Sequence, residues 1–297
     1  MFLEKAYKGR NNWTLYVLTL LIVFVAIQIA SLPLALYLLI QNPEAAMQGN
    51  IGPLTSTNTG LALTLFTFAG GFVALFACIR FLQKKNYLDI VTGRSKFDWK
   101  RLGFGAAIWG VLTLITFAIT ILSSDNSDIL FQFDPVNFFI LVIISLIFLP
   151  IQTAFEEILF RGYLMQGTTL LIKSKWMAFL LIAILFALMH ISNPEIKAFG
   201  VEVALPQYLT MGLILGFVAL KDDGLELAIG LHLANNFLAA VMFTSDASAL
   251  QTHALFKDLH PSASYLDTLI MLIAGVIFIA ICNWKYRFLK DEIHPIE

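Results

Sequence analysis

The sequence predicts an all-α polytopic membrane protein, a bundle of about eight transmembrane helices, and three observations carry that prediction. First, 59% of the 297 residues are hydrophobic and only 13% are charged, with a mean hydropathy of +0.80. A soluble domain carries about a quarter charged residues. Second, apolar runs recur at the length of about 20 residues that a bilayer core demands. Third, the basic residues fall into alternate connections between those runs, as they do when cytoplasmic loops hold the excess of Lys and Arg.

The runs lie at about 13 to 40, 60 to 82, 102 to 122, 136 to 155, 176 to 192, 203 to 220, 225 to 243 and 264 to 284. The first follows the basic start MFLEKAYKGRNN and extends from Trp13 to Ile40, far beyond the short core of a cleavable signal, so it reads as a retained helix, tilted or kinked at Pro33. One set of connections holds Lys5, Lys8 and Arg10, then Arg80, Lys84, Lys85, Arg94, Lys96, Lys100 and Arg101, then Lys173 and Lys175, then Lys221, then Lys285, Arg287 and Lys290. The other set holds only Lys197 and Lys257, and Arg161 belongs to neither. This distribution predicts a multi-pass protein of the cell membrane with both termini cytoplasmic. It places NPEAAMQGNIGPLTSTN and SSDNSDILFQFD on the outside. No internal repeat or linker divides the chain, so residues 1–297 read as a single membrane domain. Nucleic-acid binding has no support at a net charge of −1, and Cys78 and Cys282, set in apolar runs, read as small buried hydrophobes.

A few ionisable side chains interrupt the apolar runs: Glu156, Glu157 and Arg161, then His190, then His232. Each is expensive in hydrocarbon, about 2.5 to 3.5 kcal/mol or more at the centre of a membrane helix for Arg, Lys or Asp, so such residues mark a function by default. Glu157 and Arg161 are four apart, with the acid N-terminal, the better orientation for an ion pair. Glu156 points about 100° away around the helix and is left as an unpaired carboxylate. In FALMH, Phe186 shares a face with His190, and in HLANN, His232 shares a face with Asn236. A carboxylate, two imidazoles and a carboxamide suit attack by water on an amide. The carboxylate and one imidazole hold and deprotonate the water, while the other imidazole and the amide NH2 donate to the developing oxyanion. Thr153 and Ser192 lie near these residues without any nucleophile pattern.

EEILFR, FALMH and HLANN, in that order within three separate runs, resemble the EExxxR, FxxxH and HxxxN motifs of the CAAX prenyl endopeptidase and bacteriocin-processing (CPBP, Abi) family of intramembrane glutamate proteases. The motifs cover about residues 153 to 237, inside a core of 136–243. The resemblance implies an eight-helix endopeptidase with its catalytic cavity inside the bilayer. Carried over by position, Glu156 and His190 activate water, His232 and Asn236 stabilise the oxyanion, and Glu157 and Arg161 brace the site. The implied partner is a membrane-associated protein or peptide, either of prenylated CAAX type or of bacteriocin or signal-peptide type. No cofactor is expected. Two histidines and two glutamates resemble a zinc shell, but HExxH is absent and the Glu157–Arg161 pair removes one ligand, so zinc is the less favoured alternative. Two other readings of the same charges are a proton-coupled transporter and a catalytically silent bacteriocin-immunity binding protein.

Helix geometry sets one problem. At 1.5 Å per residue, a fourth helix starting at Val136 carries Glu156 about 30 Å down, whereas His190 rises about 21 Å from the opposite surface. The two meet only if the fourth span is displaced outward, kinked at Pro150, and continued through Arg161 toward Leu171.

Overall fold

The computed structural model describes residues 2–48, 56–123 and 128–289. Residues 49–55 and 124–127 of the two expected outer connections, and Lys290 of the basic tail, lie outside the described residues. The helices are α1 (Trp13–Ala30), α2 (Leu32–Gln41), α3 (Asn58–Ala77), α4 (Trp99–Ser123), α5 (Pro135–Glu157), α6 (Met165–Ile172), α7 (Lys175–Met189), α8 (Val201–Lys221), α9 (Glu226–Met242) and α10 (Tyr265–Tyr286). Shorter helices at Pro43–Gln48, Tyr87–Val91 and Pro194–Phe199 punctuate the connections.

Each expected apolar run is helical. The first breaks at Ser31, where α2 begins with Pro33 in its first turn, a position that tolerates the missing N–H. Among the described residues, six continuous helical runs are long and apolar enough to cross a membrane, while α7 and α9 fall short. The shortfall has a packing cause in α9, most of which is buried inside the bundle and so need not present a full-length apolar surface to lipid. Gly230 permits this: a Cβ there would meet the Leu102 carbonyl oxygen at 2.1 Å, and one at Gly105 would meet the Leu227 carbonyl oxygen at 2.7 Å. Helices α4 and α9 therefore touch backbone to backbone through small residues.

The fourth span resolves the depth problem. The helical run from Pro135 to Ile172 is 38 residues long, about 57 Å, nearly twice a hydrocarbon core. It passes through Pro150, leaves α geometry only at the π segment Ile158–Leu164, and resumes as α6. The departure is thus at the π turn after Glu157, where Gly162 lies against the Ile90 backbone with no room for a Cβ. Counting back from Ile172 lifts Glu156 about 24 Å, and α7, returning from Lys175, lifts His190 by about 22 Å. The two reach one level.

One end of the bundle gathers the basic connections. Lys5 donates to the carbonyls of Thr92 and Arg94 at 2.8 and 3.2 Å, Arg94 pairs with Asp222 and Glu226 at 3.2 and 3.1 Å, and the Arg101 guanidinium lies 4.0 Å over the Tyr286 ring. The first residues of the chain and the end of α10 therefore share a face. The opposite end carries an element absent from the all-helical expectation, a small sheet of β1 (Ile129–Phe131), β2 (Phe243–Ser245) and β3 (Phe256–Asp258) in the order β1-β3-β2. β1 and β3 are antiparallel, β2 and β3 parallel. Three-residue strands fall below the length at which alternation is readable. Cys78 and Cys282 are free and buried.

Candidate active site

Three runs converge on one polar cluster. The end of α5 and the π segment supply Glu156, Glu157 and Arg161; the end of α7 supplies His190; α9 supplies His232 and Asn236. The Arg161 guanidinium donates to Glu157 Oε1 at 2.9 Å, with both side chains essentially buried at 1% and 0% exposure. It also donates to the Gly212 carbonyl at 3.4 Å and lies 4.0 Å over the Phe186 ring. Phe186 thus has a function in its motif beyond sharing a face with His190. Its ring covers the guanidinium, and its carbonyl accepts from His190 Nδ1 at 2.7 Å.

The partners fix both histidine tautomers. Glu157, paired with Arg161, is a carboxylate and can only accept, so His232 Nδ1, 2.8 Å from Glu157 Oε1, carries the hydrogen. The Phe186 carbonyl imposes the same on His190. In the neutral rings, both Nε2 atoms are left with lone pairs. His232 Nε2 lies 3.3 Å from Asn236 Nδ2, which donates to it, and 3.8 Å from Glu156 Oε2. His190 is within electrostatic range of Glu156, His232 and Arg161, and its ring stacks on Tyr208 with centroids 4.4 Å apart. Glu156 Oε2 is buried and has no hydrogen-bond partner. His190 and Asn236 are only partly buried, so the cluster opens on their side.

The sequence reading missed four participants. Gln152 donates to Glu156 Oε1 at 2.5 Å and accepts from Asn236 Nδ2 at 3.0 Å. Asn235, one residue off the HxxxN spacing, donates to Asn236 Oδ1 at 3.1 Å and accepts from the Trp109 indole N–H at 3.2 Å. Tyr208 supports His190 and accepts from Asn193 at 2.9 Å. Gln152 had a usable signal: it precedes Glu156 by four residues, the same spacing that pairs Glu157 with Arg161. Trp109 and Tyr208 sit on other helices and had none. Thr153 donates to the Leu149 carbonyl at 2.8 Å, a helix-internal bond. Among the described residues, no three His, Cys, Asp or Glu side chains are grouped as metal ligands would be.

An all-α bundle of apolar helices around a buried glutamate, arginine and histidine cluster is a multi-pass membrane protein with a polar site inside the bundle. Within it, residues 135–238, from the start of α5 to past Asn236, match the family described as Rce1-like, type II CAAX prenyl endopeptidase Rce1-like. The match holds every residue of the cluster except Trp109. The chain is also 25% identical over 288 residues, 96% of each chain, to the uncharacterized protein YyaK of Bacillus subtilis (strain 168). No solved structure matches.

Proposed function

We propose that this chain is an intramembrane endopeptidase that hydrolyses a peptide bond of a membrane-associated substrate. The observation that supports it best is the unpartnered, buried Oε2 of Glu156, set 3.8 Å from an imidazole nitrogen in an apolar bundle. Glu156 takes a proton from a water that also hydrogen-bonds to His190 Nε2, and the hydroxide oxygen attacks the carbonyl carbon. The C=O electron pair moves to oxygen. Collapse of this intermediate breaks the C–N bond as Glu156 returns its proton to the departing nitrogen. His232, held through Nδ1 by Glu157, and Asn236 face the oxyanion. The oxyanion takes over the Asn236 N–H that His232 Nε2 accepts at rest, so the donor is already in place before the carbonyl oxygen gains its charge.

A fluorogenic membrane peptide offered to the purified protein in detergent tests the reading. We expect turnover that persists after exhaustive chelation, and that Asn236→Ala lowers by about a hundred- to a thousandfold while leaving a measurable remnant. Proton flux in liposomes without cleavage would instead identify a transporter. Prenylated CAAX-type and bacteriocin or signal-peptide-type substrates are distinguished in the same assay by cleavage of matched peptides with and without a farnesyl group.

The end bearing the basic connections is proposed to face the cytoplasm, with both termini there. Cysteines introduced between residues 41 and 59 should then react with an impermeant maleimide added outside intact cells. Protection there, with labelling from the cytoplasmic side, reverses the orientation.

A further inference from the structure

The amides beside the site form a chain with only one possible direction. Trp109 Nε1–H donates to Asn235 Oδ1 at 3.2 Å, Asn235 Nδ2 to Asn236 Oδ1 at 3.1 Å, Asn236 Nδ2 to Gln152 Oε1 at 3.0 Å, and Gln152 Nε2 to Glu156 Oε1 at 2.5 Å. A carboxamide can be turned end for end with little change of shape, so an isolated Asn or Gln has two orientations. Here the choice is made at both ends. An indole N–H can only donate, and a carboxylate can only accept. Reversing any one amide sets oxygen against oxygen or N–H against N–H at its neighbours. The start of the chain is itself anchored, because Trp109 is 4% exposed and packs edge-on against Phe278 with centroids 5.8 Å apart.

We infer that Trp109, Asn235 and Gln152 are positioning residues that hold Asn236 with its NH2 group, and not its oxygen, toward His232. The inference deepens the proposed reaction and rests on it for its kinetic consequence. The orientation of Asn236 decides whether the site presents a donor or an acceptor to an oxyanion. Gln152 makes that choice depend on Glu156, since its own amide bridges the carboxylate and Asn236. The backbone contact of α4 with α9 at Gly105 and Gly230 brings Trp109 within reach of Asn235. A helix outside the segment that matches the protease family thereby sets a side chain inside it.

The test has two arms on the full-length protein in nanodiscs of phosphatidylcholine and phosphatidylglycerol. The first needs no turnover: unfolding temperatures are measured for Trp109→Phe, Gln152→Leu and the double variant. These side chains share no hydrogen bond and are joined through Asn235 and Asn236, so a connected chain makes the double variant lose less than the sum of the singles, whereas independent sites add. Additive losses overturn the chain. The second arm uses the fluorogenic membrane peptide with Asn235→Asp, a replacement of nearly unchanged shape that still accepts from Trp109 but cannot donate to Asn236 Oδ1. Asn236 then turns its NH2 to the new carboxylate. The expected loss in kcat is about a hundred- to a thousandfold, the cost of one oxyanion donor, with KM held within about twofold. Adding Asn236→Ala to this variant should lower kcat no further than Asn236→Ala alone. Wild-type kcat for Asn235→Asp, or full additivity with Asn236→Ala, overturns the positioning role. If the wild-type protein cleaves nothing, the proposed reaction fails, while the unfolding cycle still decides whether the chain exists.

Discussion

Glu156→Gln is expected to lower turnover by several orders of magnitude while the protein folds as before. The substitution keeps the volume of the side chain and removes the proton-accepting oxygen that has no partner in the cluster. Positioned proton transfer supplies about 10²- to 10⁴-fold, and in the proposed reaction the same group also returns the proton to the leaving nitrogen, so both halves would suffer. His190→Ala removes the proposed second acceptor for the water and is expected to cost a comparable amount. It also leaves the Phe186 carbonyl without its imidazole partner and Tyr208 without its stacking ring. Circular dichroism and gel filtration check the fold, and the fluorogenic peptide reads the rate. Cleavage by Glu156→Gln within about tenfold of wild type would remove Glu156 from the role of base.

Arg161→Ala is expected to act on stability first. Glu157 is wholly buried, and two groups hold its Oε1: the Arg161 guanidinium at 2.9 Å and His232 Nδ1 at 2.8 Å. Removing the guanidinium leaves a buried carboxylate with imidazole alone for compensation. Breaking a buried pair from one side costs about 3–5 kcal/mol. The same change strips the cation from the face of Phe186 and the donor from the Gly212 carbonyl, and it removes the charge that fixes the His232 tautomer. The folded yield in detergent and the unfolding temperature should both drop, and the remaining folded protein should turn over slowly. Arg161→Lys should recover part of the stability, because a point charge replaces a fork that reaches two acceptors. An Arg161→Ala protein that folds in normal yield and cleaves at the wild-type rate would show that the pair braces nothing.

The legibility of the site followed the rules of a single helix. Glu157 with Arg161, Phe186 with His190 and His232 with Asn236 are all i,i+4 pairs, and the sequence placed each pair on one face because 3.6 residues per turn does so without reference to any other helix. Gln152 before Glu156 obeys the same rule but stands out less in the sequence, because an uncharged amide carries less of the desolvation cost that singles out Glu156, Glu157, Arg161 and the two histidines. Asn235 lies off the HxxxN spacing, and its importance comes from Trp109 on α4, which no spacing within HLANN reports. The length of the fourth helical run was inferred from a depth mismatch between Glu156 and His190. The expected end at Leu171 is one residue short of Ile172, and the irregularity expected at Pro150 lies instead at Ile158–Leu164, where the hydrogen bonding departs from α geometry.

By itself the sequence determined the membrane class, the apolar runs and the identity of the charged residues, because bilayer thickness and the cost of buried charge act on composition and spacing alone. Only the tertiary structure decided how those residues face one another. The π segment and the 38-residue run bring Glu156 level with His190. The glycine contacts of α4 with α9 bring Trp109 to Asn235. The approach of α9 to α5 and the π segment puts Glu157, with Arg161 beside it, against His232 Nδ1 and so settles which ring nitrogen carries the hydrogen. The direction of a hydrogen bond between two helices depends on distances across the bundle, and no periodicity along one strand of sequence encodes them.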